Sequence, residues 1–102
     1  SLAQDTRDYL QLFVEQFPSI QEVAATFGMA ERSFRRKLSE DNLSYRGLLD
    51  EVRFAKAKQL LLHSTLPIEA IANQLGYTEA AAFIHAFQRW ANATPAKYRA
   101  NR

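Results

Sequence analysis

Two stretches of this chain, 48 residues apart, read alike: Ile20-Gln-Glu-Val-Ala-Ala-Thr-Phe-Gly28 and Ile68-Glu-Ala-Ile-Ala-Asn-Gln-Leu-Gly76. Aligned by position, Ile20 meets Ile68, Val23 meets Ile71, Ala24 meets Ala72, Phe27 meets Leu75 and Gly28 meets Gly76. Their apolar residues follow the spacing of one helix face. In each copy a small residue sits where two helices can cross closely, and the glycine four residues later admits the left-handed backbone of a sharp turn. Those are the steric needs of a helix-turn-helix unit. Past the glycine the second copy gains one residue, so that Phe34 matches Phe83 and Leu38 matches Phe87. Two copies flanking a long helix make an internal duplication rather than a solenoid.

Working outward, apolar residues recur at helical spacing nearly everywhere, and no sustained period-2 run rich in β-branched residues interrupts them. The expected class is all-α, with about seven helices forming two helix-turn-helix subdomains joined by a long central helix. Asp5 is the expected cap of a first helix with Tyr9, Leu10, Phe13, Val14 and Phe17 on its face, ended by Pro18. Ser19 and Glu22 form a capping-box pattern for the second helix, which Gly28 closes. The third runs from about Glu31 to Glu40 with Phe34 and Leu38 inward, and Asp41, Asn42 and Leu43 break it. Ser44 caps the longest helix, about Tyr45 to His63. Thr65, Leu66 and Pro67 open a fifth, Thr78 is the expected cap of a sixth carrying Phe83, Phe87 and Trp90, and Thr94 with Pro95 opens a short last one. The predicted boundaries are 19–40 and 67–90 for the two helix-turn-helix subdomains, 45–63 for the linker helix and 95–99 for the final helix.

Composition narrows the function. The 102 residues are 47% hydrophobic with three glycines and three prolines, which excludes collagen-like, low-complexity and disordered chains. A chain of this size is expected to bury one core, with little volume left for a deep substrate pocket. With no cysteine, disulfide frameworks, thiolate zinc sites and cysteine nucleophiles fall away together, and a reducing cytoplasm is compatible. His63 and His85 stand 22 residues apart with no carboxylate at metal-ligand spacing, and no Gly-rich phosphate loop occurs. We expect no enzyme, cofactor, metal or membrane span. The chain opens on Ser1 with no signal-peptide pattern, and is expected to be part of a longer protein or a trimmed piece of one.

The net charge of +2 hides a pattern. Residues 31–37, 52–58 and 81–102 carry +3, +3 and +4, while 1–30, 38–51 and 59–80 carry −3, −3 and −2. Concentrated blocks of positive charge point to a polyanion. With Phe34 and Leu38 inward, Arg32 and Arg36 lie nearly opposite the core and Arg35 on the flank, a guanidinium stripe at i, i+3 and i+4. Such a stripe can bond guanine O6 and N7 in a major groove or grip phosphates; the plainer reading is a solvated face. Nineteen helical residues from Tyr45 to His63 span about 28 Å, near the roughly 34 Å between successive major grooves on one face of B-DNA. Arg46, Arg53, Lys56 and Lys58 on that helix read equally as phosphate contacts or as solvated charges beside Asp50 and Glu51.

Three further motifs are more specific: I-x-x-I-A-x-x-L-G-Y at Ile68 to Tyr77, F-x-x-x-F-x-R-W at Phe83 to Trp90, and T-P-x-x-Y-R at Thr94 to Arg99. In that order they resemble the DNA-binding domain of the AraC/XylS family of bacterial transcription regulators, over about Tyr9 to Arg99. The resemblance implies sequence-specific binding of double-stranded DNA at a promoter or operator, most often as an activator, with the third and sixth helices as recognition helices. It places DNA-binding residues at Arg32, Ser33, Arg35 and Arg36 in the first head and at Ala80, Ala81, Ala82 and His85 in the second; because three alanines leave few donors for bases, the second head is expected to anchor mainly to backbone through His85, Gln88, Arg89 and the Thr78 cap. It also implies RNA polymerase as a partner, a small-molecule effector acting only through a domain absent from this chain, and a cytoplasmic location.

Two departures stand out. Three alanines can touch a thymine methyl but make no hydrogen bond, and Ala30 lacks the hydroxyl that often caps the first recognition helix. The alanine-rich second head motivates the alternative, a helical protein-interaction module without DNA affinity. Trp90 is expected in the core or at its rim, Met29 and Tyr77 as packing residues, and His63 as a favourable helix C-terminal residue.

Overall fold

A computed structural model describes every residue from Ser1 to Arg102 as seven helices with no strand: α1 (Leu2–Leu10), α2 (Ile20–Thr26), α3 (Glu31–Glu40), α4 (Tyr45–His63), α5 (Ile68–Gln74), α6 (Ala80–Ala91) and α7 (Pro95–Ala100). None is long and apolar enough to cross a membrane. The expected single core is in fact two. One compact unit comprises residues 1–13 and 17–52, the other 14–16 and 53–102, so the division falls within α4 after Val52. A duplicated helical hairpin brings its own apolar face with each copy, and each face closes its own core.

In the first unit Val23, Ala24 and Phe34 are fully buried, with Leu10, Leu38, Leu48 and Val52 around them. Phe27 stacks on Phe34 with ring centres 6.4 Å apart, and Tyr9 meets Phe27 edge-on at 6.0 Å. The capping box at the start of α2 forms as expected: the Ser19 hydroxyl accepts from the Glu22 N–H at 3.1 Å, and the Glu22 carboxylate accepts from the Ser19 N–H at 2.9 Å. Bonding first to the Ser19 N–H and then to its hydroxyl holds the Glu22 carboxyl below its usual pKa. The cap therefore stabilises at neutral pH, and that contribution is lost as pH falls through the Glu22 titration.

The second unit buries Ala57, Leu61, Ile71, Ala72, Leu75, Phe83 and Phe87. Burying each phenylalanine contributes about 1.5–3 kcal/mol. Phe54 and Tyr98 meet Phe87 edge-on, and Trp90 lies half-buried at the rim, 5.6 Å from Phe54. The Thr94 hydroxyl accepts from Lys97 N–H and Pro95 takes the first turn of α7, which runs one residue past its expected end to Ala100. That helix delivers Arg99, whose guanidinium donates to the carbonyls of Leu60, Leu61, Ser64 and Leu66 at 2.6–3.3 Å, satisfying the open end of α4 and the loop after it.

Two expectations about helix limits need correcting. The cap of α1 is Ser1, whose hydroxyl accepts from Gln4 N–H at 3.2 Å; Asp5 lies in the first turn. The helix stops at Leu10 instead of running to Pro18, leaving Leu12 and Val14 outside it, 76% and 59% exposed. A backbone bond explains this: Glu15 N–H donates to Gln74 O at 2.7 Å, which takes residues 14–16 into the second unit. The second correction concerns Thr78. The N-cap of α6 is Glu79, which makes no side-chain cap bond, and Thr78 is an exposed residue one position earlier.

Candidate nucleic-acid interface

The two turns are built bond for bond alike. In the first, Phe27 N–H reaches Val23 O and Ala24 O, Gly28 N–H reaches Ala25 O and Met29 N–H reaches Ala24 O; in the second, Leu75, Gly76 and Tyr77 make the same bonds to Ile71, Ala72 and Asn73. Gly28 and Gly76 have φ of +70° and +89°, the left-handed region in which a side chain is costly. Ala24 and Ala72, buried to 0% and 1% exposure, let the following helix approach. The extra residue in the second copy lies between its glycine and the next helix, so α3 starts three residues after Gly28 and α6 four after Gly76.

The helices presented by these turns differ. On α3, Arg32, Arg35 and Arg36 are all exposed, Ser33 is half-buried, and Phe34 and Leu38 anchor the opposite face. Glu31 holds Arg35 through Nε and Nη2 at 3.3 and 2.9 Å, a partnership visible in the i, i+4 spacing. With both side chains largely exposed, such a pair is worth little in water and yields readily to a stronger anion. Ala30, the N-cap, has extended backbone and no side-chain cap bond.

On α6, Ala81, Ala82, His85, Gln88 and Arg89 are exposed and Ala80 is half-buried against the core. His85, Gln88 and Arg89 line one depression of about 330 Å³. Sequence reasoning missed a second depression, of about 310 Å³, where Thr78, Ala80 and Ala81 share a wall with Glu69, Asn73 and Glu79. Polar groups from α5 thus stand beside the alanines, and only the folded turn brings them there.

The cations of α4 divide between partners. Arg46 lies 3.6 Å from Asp50, Glu51 pairs instead with Arg7 at 2.6 Å, and Lys58 sits 4.2 Å from the centre of the Phe54 ring. Burial lowers the pKa of Lys56. Arg53 is turned inward: its Nε donates to Leu75 O at 2.8 Å and its guanidinium lies over the Tyr77 ring at 4.9 Å. Met29 and Tyr77 pack against their respective cores, and His63 is exposed in the last turn of α4.

Two tight-turned hairpins, each presenting an exposed helix and one carrying a guanidinium stripe, define a double helix-turn-helix protein. The helix-turn-helix domain model matches residues 23–101. The chain belongs to the AraC-type helix-turn-helix family of DNA-binding transcription regulators. It is 37% identical over 97 residues to the HTH-type transcriptional regulator VqsM of Pseudomonas aeruginosa, a match covering 91% of this chain and 30% of VqsM. Among solved structures, the transcriptional regulator CdpR from Pseudomonas aeruginosa superimposes with a TM-score of 0.91 at 37% identity, over 97% of this chain and 31% of CdpR. The DNA-binding domain of AdpA, solved in complex with a target DNA, superimposes with a TM-score of 0.77 at 26% identity, over 98% of this chain and 87% of that domain. The chain thus spans about a third of the full-length regulators it matches. The family is one of DNA-binding regulators rather than enzymes.

Proposed function

We propose that this chain reads a specific double-stranded DNA site for a bacterial transcription regulator, with α3 and α6 each entering a major groove, the two grooves being successive. The observation that carries this reading is the exposed stripe of Arg32, Arg35 and Arg36 on the helix that follows a duplicated tight turn. Arg32 and Arg36 bond guanine O6 and N7, Arg35 exchanges Glu31 for a base or phosphate, and Ser33 bonds a nearby phosphate. In the second head Ala80, Ala81 and Ala82 contact thymine methyls, while Thr78, His85, Gln88 and Arg89 grip the backbone. The subdomain boundaries 19–40, 45–63, 67–90 and 95–99 belong to this reading. So do a cytoplasmic location, RNA polymerase as a partner and an effector bound by a region outside this chain.

The test is selection of bound sites from a random duplex library, followed by titration of the selected site and a scrambled duplex across salt concentrations. We expect a defined site, and an affinity for both duplexes that falls steeply with salt as the basic blocks displace counterions. A flat salt dependence, or no retention at low salt, would overturn the reading in favour of a helical protein-interaction module.

A further inference from the structure

Sequence leaves Arg53 as a phosphate contact or a solvated charge, and the fold adds a third role by giving it partners inside the second unit. Its Nε bonds the carbonyl of Leu75, the residue that ends α5, and its guanidinium covers the ring of Tyr77, two residues further along the turn. The Tyr77 ring lies 5.8 Å from Phe83, the first fully buried residue of α6. An unbroken series of contacts therefore runs from α4 through the turn into the second recognition helix. Terminal helix carbonyls need donors, and a guanidinium can supply one while stacking on an aromatic ring; an ammonium offers no such planar fork. The first turn is instead supported by the rings of Tyr9 and Phe27.

We propose that Arg53 is a positioning residue for the second recognition helix: bonded to Leu75 and stacked on Tyr77, it sets the direction in which α6 leaves its turn, and so the base preference beneath that helix. This rests on the DNA-reading function proposed above. In this role Arg53 acts through the shape of its guanidinium, which bonds Leu75 and covers Tyr77, rather than through its charge.

The experiment measures binding of the chain to its selected site, to single-base variants beneath each recognition helix and to a scrambled duplex, alongside thermal melts. The variants are Arg53→Lys, Arg53→Ala and Tyr77→Leu. Arg53→Lys and Arg53→Ala are each expected to lose about tenfold discrimination at the base pairs under α6, as one misdirected base contact would cost. Preferences under α3 and the salt slope should stay at wild-type values. Tyr77→Leu, which keeps an apolar contact to Phe83, should shift the same base pairs less. Should Arg53→Ala unfold, Arg53→Lys and Tyr77→Leu carry the decision. A phosphate contact would look different: Arg53→Lys like wild type, and Arg53→Ala weaker on every duplex with its salt slope reduced by about one. That result would overturn the inference, as would a loss equal at both half-sites, which marks general destabilisation. A wild-type chain without any selected site overturns the DNA reading itself, a failure distinguishable from a selective wild type whose Arg53 variants keep their preferences.

Discussion

The two helix-turn-helix units share every backbone bond of their turns and almost none of the chemistry on the recognition helices beyond them. Three arginines stand on α3, where α6 offers alanines and the His85, Gln88 and Arg89 depression. The supports differ as well, aromatic rings in the first unit and a guanidinium in the second. A duplicated turn therefore constrains only what makes it turn: a small buried residue, a glycine at positive φ and a core side chain on either side. The exposed positions are free to specialise, and a single chain can combine a head that discriminates with one that holds.

The largest expected effect comes from uncoupling the heads. Inserting four residues in α4 directly after Val52, where the two units divide, moves the second head by about 6 Å and turns it by about 40°. With simultaneous engagement lost, affinity for the selected site should fall by about a hundredfold, while binding to scrambled duplex changes little. Unchanged affinity in a gel-shift titration would mean that one head suffices.

Next come the glycines. A Cβ at Gly28 would meet nothing within 4 Å, so Gly28→Val tests backbone strain rather than crowding. We expect it and Gly76→Val each to cost about 1–3 kcal/mol in thermal or denaturant melts, with base preference kept in the fraction still folded. Wild-type stability in either variant would break the equivalence of the turns.

The division of labour is sharpened by side-chain removal. Arg32→Ala and Arg36→Ala should each cost about 1–3 kcal/mol on the selected site and relax one or two base pairs. His85→Ala and Gln88→Ala should weaken binding by less and evenly across sequences. A base-substitution scan decides, and greater sequence sensitivity beneath α6 than beneath α3 would reverse the assignment. The smallest effect concerns helix starts: Ala30→Ser gives α3 the cap it lacks and should stabilise by about 0.5–1 kcal/mol, raising the melting temperature without altering base preference.

Much of this was legible in the residues, for local reasons. The limits of α3 and α4, the Ser19 and Glu22 box and both glycine turns are set by side chains within a few positions of the bonds they make. The failures were non-local. The periodicity of Phe13 and Val14 extends α1 on paper, and only the bond from Glu15 to Gln74 says otherwise. Thr78 missed the cap by one residue because the second copy carries one more residue between its glycine and its helix, so that Glu79 takes the place Ala30 holds in the first. Arg53 lies 22 residues from the carbonyl it serves, beyond the reach of any helical spacing rule. At the interface, the exposed guanidinium stripe could be drawn on a helical wheel, but the wall of Glu69, Asn73 and Glu79 beside the alanines could not.

The Arg99 guanidinium, with its carbonyl partners 33 to 39 residues earlier in the chain, also bears on the order in which the protein is made. Synthesis runs from the N-terminus and finished units fold as they emerge. The first unit holds all its core residues once Val52 is clear of the ribosome, whereas the second waits for the residue that closes its α4 end. A released fragment ending at Trp90 should therefore protect the amides of α2 and α3 from hydrogen exchange and leave those of α5 and α6 exchanging. Equal protection in both would show that the second unit needs no such closure. If the order holds, translation passes through an interval in which the arginine-bearing head is folded and its partner is not.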